Sequence, residues 1–229
     1  MNITADITLI QGSPVGPQVY RILRERIIRA ELKPGMQISE AEIARMFALS
    51  RQPVREAFIK LAEEGLLEVR PQRGTMVRKI TKAAVMDARF VREAIEADIV
   101  KLLADRKPAG LVAELRAQII RQRAVADDDP ATFMKLDEQF HRTLADAADR
   151  SYAWRVVEDV KAQMDRVRYL SFMHFPMRKL VDQHEAVVDG IEHGAAAEAE
   201  EAMRIHLREI LIDLPGIAGL KPEFFEETS

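Results

Sequence analysis

Apolar residues set two different rhythms along this chain. From Lys82 to Leu214 they recur every three or four positions with almost no alternation, as amphipathic helices require. Loop signals at Lys107-Pro108-Ala109-Gly110, Asp127 to Pro130, Asp149 to Ser151, Phe175-Pro176 and Gly194 divide that stretch. The spacing predicts six helices, at 83–106, 111–127, 130–148, 151–173, 176–193 and 195–213. Short connections make consecutive helices antiparallel neighbours, hence an all-α six-helix bundle over 83–214. Residues 215–229 read as an irregular tail in which Leu220, Phe224 and Phe225 pack back on the bundle, and residues 1–14 as a loose tail.

The rhythm of residues 15–82 is different. Ser39 followed by Glu42 is a capping box with Ile38 and Ile43 as its hydrophobic staple, so a helix starts at Ser39. Ser50 opens a second helix with Leu49 and Val54 as the staple, and Pro53 is tolerated in a first turn whose N–H groups have no helical partner. Only Ala48 and Leu49 lie between the two, a spacing that forces a steep crossing and projects the N-terminus of the second helix. Gly65 ends that helix. Leu67 to Val69 and Thr75 to Ile80 are short β-prone runs around Arg70-Pro71-Gln72-Arg73-Gly74, a hairpin with a basic tip. Together these elements predict a winged helix-turn-helix over 15–82. Its exposed first turn carries Arg51, Gln52 and Arg55, side chains that read guanine and adenine edges in a major groove, with Ser50 suited to phosphate.

Charge separates the same two regions. Residues 15–82 hold 14 basic and 8 acidic residues, leaving 20 and 29 elsewhere, so a domain of net charge +6 precedes a remainder of −9. The overall balance of −3 conceals a chain built to hold a polyanion at one end. Zero cysteines exclude disulfides and thiolate metal sites and fit a cytoplasmic protein. With no run of about 18 apolar residues and no signal-peptide pattern, neither a membrane span nor export is expected.

The segment SRQPVREAFIKLAEEGL followed by QRG resembles the core of the GntR family of bacterial transcription regulators over about residues 15–80. That resemblance implies that Arg51 and Arg55 contact DNA from the recognition helix and that Arg73 with Gly74 approaches the minor groove from the wing. One position departs from the pattern: Ala41 stands where some relatives place a DNA-contacting arginine, so their operator sequence does not transfer. Arg45, one turn on, can touch a phosphate or remain a solvated surface residue.

In the bundle, polar residues on apolar faces are informative, because an unpaired buried carboxylate costs several kcal/mol. Asp137 and His141 share a stripe with Phe133, Phe140 and Leu144. His184 aligns with Val187, Val188 and Ile191, and His206 with Ala199, Met203 and Ile210. One carboxylate and three neutral imidazoles suit a divalent transition metal, zinc or nickel, with bonds of about 2.0–2.2 Å. Taken singly, each is as well explained as a satisfied core histidine or a buried ion pair; it is their convergence that points to a metal. His174 and His193 lie at helix ends, where a cation complements the dipole. Arg92 lies on the inner stripe of the first bundle helix, one turn from Glu96. It can clamp the carboxylate of a small effector or simply pair with Glu96.

The segments LDEQFH, HEAVVDGI and RIHL resemble the metal-binding FCD domain of the FadR-type branch of the GntR family over about 84–213. Six helices would correspond to the shorter, VanR-like version. The resemblance implies the same four metal ligands and an effector cavity lined by Arg92. Together these readings predict a homodimeric regulator, a repressor, that binds double-stranded operator DNA and senses a small organic acid through its metal. A metal-dependent hydrolase is the first alternative, but no general base, nucleophile motif or phosphate loop accompanies the cluster. A metal with a purely structural role is the second.

Overall fold

The computed structural model describes residues 9–10, 12–70 and 74–227. The chain forms two compact units, one comprising residues up to Thr81 together with those from Lys221 onward, the other Lys82–Leu220.

In the first unit, α1 (Val15–Ile28) packs mainly on α3 (Arg51–Glu63), with α2 (Glu40–Met46) between them in sequence. Val19, Leu23, Ile27, Val54, Phe58 and Leu61 are buried and supply its core. The Ser39 hydroxyl accepts the Glu42 N–H at 3.3 Å, which fixes the start of α2. The turn that follows passes through Ala48 at φ +53°, a left-handed conformation that costs a Cβ-bearing residue roughly 1–2 kcal/mol. It is held by the Leu49 N–H donating to the Ala44 carbonyl at 2.8 Å. Ser50 occupies the cap position of α3 without a side-chain capping bond. At the far end, Gly65 (φ +69°) closes α3: its N–H reaches the Ala62 carbonyl and the Leu66 N–H the Leu61 carbonyl. This double bond pattern is why a glycine stands there.

The hairpin consists of β2 (Leu67–Arg70) and β3 (Gly74–Val77), antiparallel with Arg70 opposite Gly74. A two-residue strand that pattern reading does not detect, β1 (Gln37–Ile38), pairs with the other side of β3. The basic tip, including Arg73, lies outside the described residues. Ile80 does not extend β3 as the sequence predicts; it pairs with the C-terminal segment instead. Its N–H donates to Phe224 O at 2.8 Å and its carbonyl accepts from Glu226 N at 3.0 Å. Phe224 and Phe225 are buried in this first unit, and Leu220 is exposed. The expectation that these three residues pack on the bundle is therefore corrected: strand-like pairing with Ile80 satisfies backbone groups that a free tail would leave to water.

The second unit consists of α4 (Lys82–Arg106), α5 (Leu111–Val125), α6 (Pro130–Ala147), α7 (Ser151–Val160), α8 (Ala162–His174), α9 (Arg178–His193) and α10 (Ala196–Leu220). Seven helices stand where six are predicted, so the helix count gives no support to the shorter version. The extra break is at Lys161, with neither glycine nor proline to announce it. At this break the Lys161 ammonium is buried against Asp165, one turn on, at 2.7 Å and against Glu138 of α6 at 3.3 Å. Pro215 does not end the last helix either. Leu214 and Ile217 are buried on either side of it, and that burial offsets the roughly 3 kcal/mol a helical proline costs. α10 packs on α4 and α9. It approaches α9 so closely at Gly190 that a Cβ there would lie 2.7 Å from the Ala199 Cα. Among the described residues no helix is long and apolar enough to cross a membrane.

Candidate metal centre

Asp137 and His141 are one turn apart on α6, His184 is on α9 and His206 on α10, and all four are buried. Each offers a ligand atom within 4.8 Å of the others. The Nε2 atoms of His141 and His184 each lie 3.2 Å from His206 Nε2. Asp137 Oδ1 lies 3.7 Å from His184 Nε2 and has no hydrogen-bond partner. Ligands bound at about 2.1 Å and meeting at 90–110° are roughly 3.0–3.4 Å apart, so the imidazole separations are those of a coordination shell.

The opposite edges of the rings explain why the Nε2 atoms converge. His184 Nδ1 donates to Gln122 Oε1 at 2.8 Å and His206 Nδ1 to Gln183 Oε1 at 3.2 Å. His141 Nδ1 stands 2.5 Å from Glu96 Oε2. With His184 and His206 each holding an Nδ1 proton towards an amide oxygen, each turns an Nε2 lone pair to the buried point that His141 Nε2 also faces. That arrangement repels itself without a cation and is the second-sphere pattern of metal-bound histidine. The His184 ring also stacks on Phe140, with centroids 4.2 Å apart.

Electrostatics point the same way. Burial pushes the His184 pKa down to about 3, Asp137 only partly opposing it, and burial likewise holds His206 well below its usual value. Both rings are therefore neutral at physiological pH, as ligands must be. Burial, the largest influence, would raise the Asp137 carboxyl, but the Arg168 guanidinium and the three neighbouring imidazoles together outweigh it and keep the group ionised. Arg168, on α8, bonds Asp137 Oδ2 and leaves Oδ1 free.

Arg92 forms the internal pair that the sequence allowed, Nε to Glu96 Oε1 at 2.6 Å. It also lines a small cavity of about 30 Å³ beside the cluster, with Arg168 and His206. Arg168 escapes sequence reading because α8 is buried on nearly every side, so no apolar stripe marks which of its polar residues point inwards. Gln122 carried a readable signal: Leu115, Ile119 and Gln122 share one buried face of α5.

At the other candidate site, Ser50, Arg51, Gln52 and Arg55 are all exposed at the start of α3. Gln52 Nε2 donates to Glu56 Oε1 at 3.0 Å. Gly74 (φ +83°) opens β3, and an added Cβ would meet the Gln37 amide nitrogen at 2.8 Å.

Two family models match the chain: bacterial regulatory proteins of the gntR family over residues 16–77, and the FCD domain over 87–209. The HTH-type transcriptional repressor RspR of Escherichia coli K12 is 39% identical over 98% of this chain and 100% of its own length. A probable D-xylose utilization operon transcriptional repressor of Paenarthrobacter nicotinovorans is 29% identical over 84% of the chain and 85% of its own. The solved structure of E. coli McbR/YncC shares the fold, with a TM-score of 0.70 over 93% of this chain and 99% of that one at 18% identity. Joined to a winged helix with an exposed basic recognition turn, these matches show that the chain belongs to the GntR family of transcription regulators, carries an FCD domain, and is a DNA-binding regulator rather than an enzyme.

Proposed function

We propose that the protein is a homodimeric repressor whose FCD domain binds one divalent metal, zinc or nickel, through Asp137, His141, His184 and His206, and senses a small carboxylate beside it. The observation that carries the metal is the set of three imidazoles with their Nε2 atoms turned on one point and an orphaned carboxylate oxygen next to them. An ion held there would supply open coordination positions for an oxygen ligand. Charge supports an anionic effector. The Arg92–Glu96 and Arg168–Asp137 pairs are each neutral, so a divalent cation adds two uncompensated buried charges, one of which a carboxylate cancels. Arg92 and Arg168 line the adjoining cavity with N–H groups that can meet it. A purely structural metal is the second reading, favoured by the full burial of all four ligands and by a cavity of only about 30 Å³.

For operator recognition, Arg51, Gln52 and Arg55 read base edges, Ser50 takes a phosphate, and Arg73 with Gly74 reaches the minor groove. Two half-sites are needed for tight specific binding by so small a reading head, hence the homodimer. Two relatives are named repressors, which supports that mode of action. Arg55→Ala is expected to weaken operator binding by about 1–3 kcal/mol, and Arg73→Ala to reduce the salt slope of binding by about one. Gel shifts at several salt concentrations check both, and an unaltered Arg55→Ala affinity removes that residue from the reading set.

The regulatory reading is tested by titrating small acids into free and operator-bound metal-loaded protein. Coupling of about 1–3 kcal/mol changes effector affinity roughly 5–150-fold on binding DNA, by the same factor in both directions. Equal acid affinity in the two states leaves the metal with a structural role.

A further inference from the structure

The chain from Lys221 onward groups with the first unit, so the whole bundle is an insertion between Thr81 and Lys221. Ile80 and Phe225 face each other in a parallel bridge. Parallel pairing needs a long crossover, and here the crossover is the bundle: Ile80 stands two residues before α4 and Phe224 four residues after α10. Both backbone groups of Ile80 are bonded to this segment, and Ile80, Phe224 and Phe225 are all buried. Among the described residues of the first unit the buried phenylalanines are Phe58, Phe224 and Phe225, so its aromatic core is drawn mostly from the far end of the chain.

Charge argues against an electrostatic reason for that placement. From Lys221 to Glu227 one base stands against three acids, Glu223, Glu226 and Glu227. In a unit that approaches a polyanion, this excess of negative charge weakens association. The Arg78–Glu226 pair, 3.4 Å apart, is nearly half exposed on both sides, and such a pair contributes little. Burial of the two rings and the bridge to Ile80 are what hold the segment.

The place it holds is the foot of the wing. The sheet there is small, with two residues in β1 and four each in β2 and β3, and so short a hairpin is marginal without further pairing. β3 leads to Ile80 through Arg78, whose N–H donates to the Leu66 carbonyl at 2.9 Å. The C-terminal segment pairs the same chain again three residues beyond Val77, at the end of β3 away from Gly74.

We infer that Phe224 and Phe225 are positioning residues for operator binding. They dock the C-terminal segment on Ile80 as a strap, and the strap fixes the wing in the attitude in which Gly74 meets the minor groove. This rests on the operator reading above, in which the wing enters that groove, and adds what holds it there. Docking of the strap and binding of the operator are then linked, each favouring the other by the same factor.

The test uses full-length protein and the duplex that the wild type selects from a random-sequence pool. Phe224→Ala/Phe225→Ala is expected to bind that duplex about tenfold more weakly. Hydroxyl-radical protection of the minor groove should disappear in this variant while methylation protection of guanines under α3 persists, and Phe224→Leu/Phe225→Leu should restore most of both losses. Glu223→Gln/Glu226→Gln/Glu227→Gln removes three negative charges and is expected to bind at least as tightly as wild type. A tenfold loss in that glutamine variant overturns the assignment to the rings. Alanine-variant binding as tight as wild type overturns the inference, and so does weaker binding with minor-groove protection intact, the pattern of a unit that is merely destabilised. Wild-type protein that leaves the minor groove unprotected overturns the wing reading together with the inference. If the alanine variant fails to fold, amide exchange in the wild type decides: the Ile80 and Glu226 amides are expected to exchange about tenfold more slowly once the duplex is bound, and unchanged rates overturn the inference.

Discussion

Asp137→Ala lowers the stability of the metal-free protein by about 3–5 kcal/mol, because it leaves the buried Arg168 guanidinium without the carboxylate that compensates it. The lower end of that range is the better expectation. Asp165 also approaches Arg168, at 3.4 Å, but Lys161 already holds that acid at 2.7 Å. Asp137→Asn keeps an acceptor and loses the charge, so its cost falls between wild type and Asp137→Ala. Urea denaturation in the presence of a chelator isolates this effect from metal binding. An Asp137→Ala protein as stable as wild type would mean that Arg168 finds another partner, and the account of why Asp137 stays ionised would be wrong.

Metal removal is the second large effect. An ion that binds the folded chain and not the unfolded one stabilises by about 4 kcal/mol at a thousandfold excess over its dissociation constant. Chelation is therefore expected to lower the melting temperature of the wild type by several degrees and to leave His184→Ala almost unmoved. The single tryptophan gives an independent signal. Trp154 is buried, its ring parallel to that of His141 with centroids 6.5 Å apart. Its fluorescence should change as nickel is added and saturate. An equal chelator shift in wild type and His184→Ala would place the ion elsewhere.

The parts of this molecule legible in its sequence are those fixed by local rules. Ser39, the short turn at Ala48 and Leu49, and Gly65 each punctuate the chain through their own backbone chemistry, and the structure uses each at that point. The four candidate ligands were readable because each interrupts an otherwise apolar helical stripe, and the fold brings all four together. What the sequence concealed depends on partners distant along the chain. Lys161 is buried against Glu138 of α6 where α7 gives way to α8, and Ile80 leaves the wing to pair with Phe224 and Glu226. Pro215 sits inside a helix because buried neighbours outweigh its cost. α1 opens without a side-chain cap, so nothing announced its start. Arg168, which holds Asp137 ionised, had no stripe to interrupt, because its helix is buried almost all round.

The central claim is that Asp137, His141, His184 and His206 form one metal centre, and X-ray absorption at the metal edge of zinc-loaded protein tests it most directly. One zinc per chain is expected, with three imidazole nitrogens at about 2.0–2.1 Å, oxygen in the remaining positions and no sulfur. His206→Ala should remove one imidazole from that shell or abolish binding. A shell with fewer than two imidazoles, or one identical in His206→Ala, would contradict the claim.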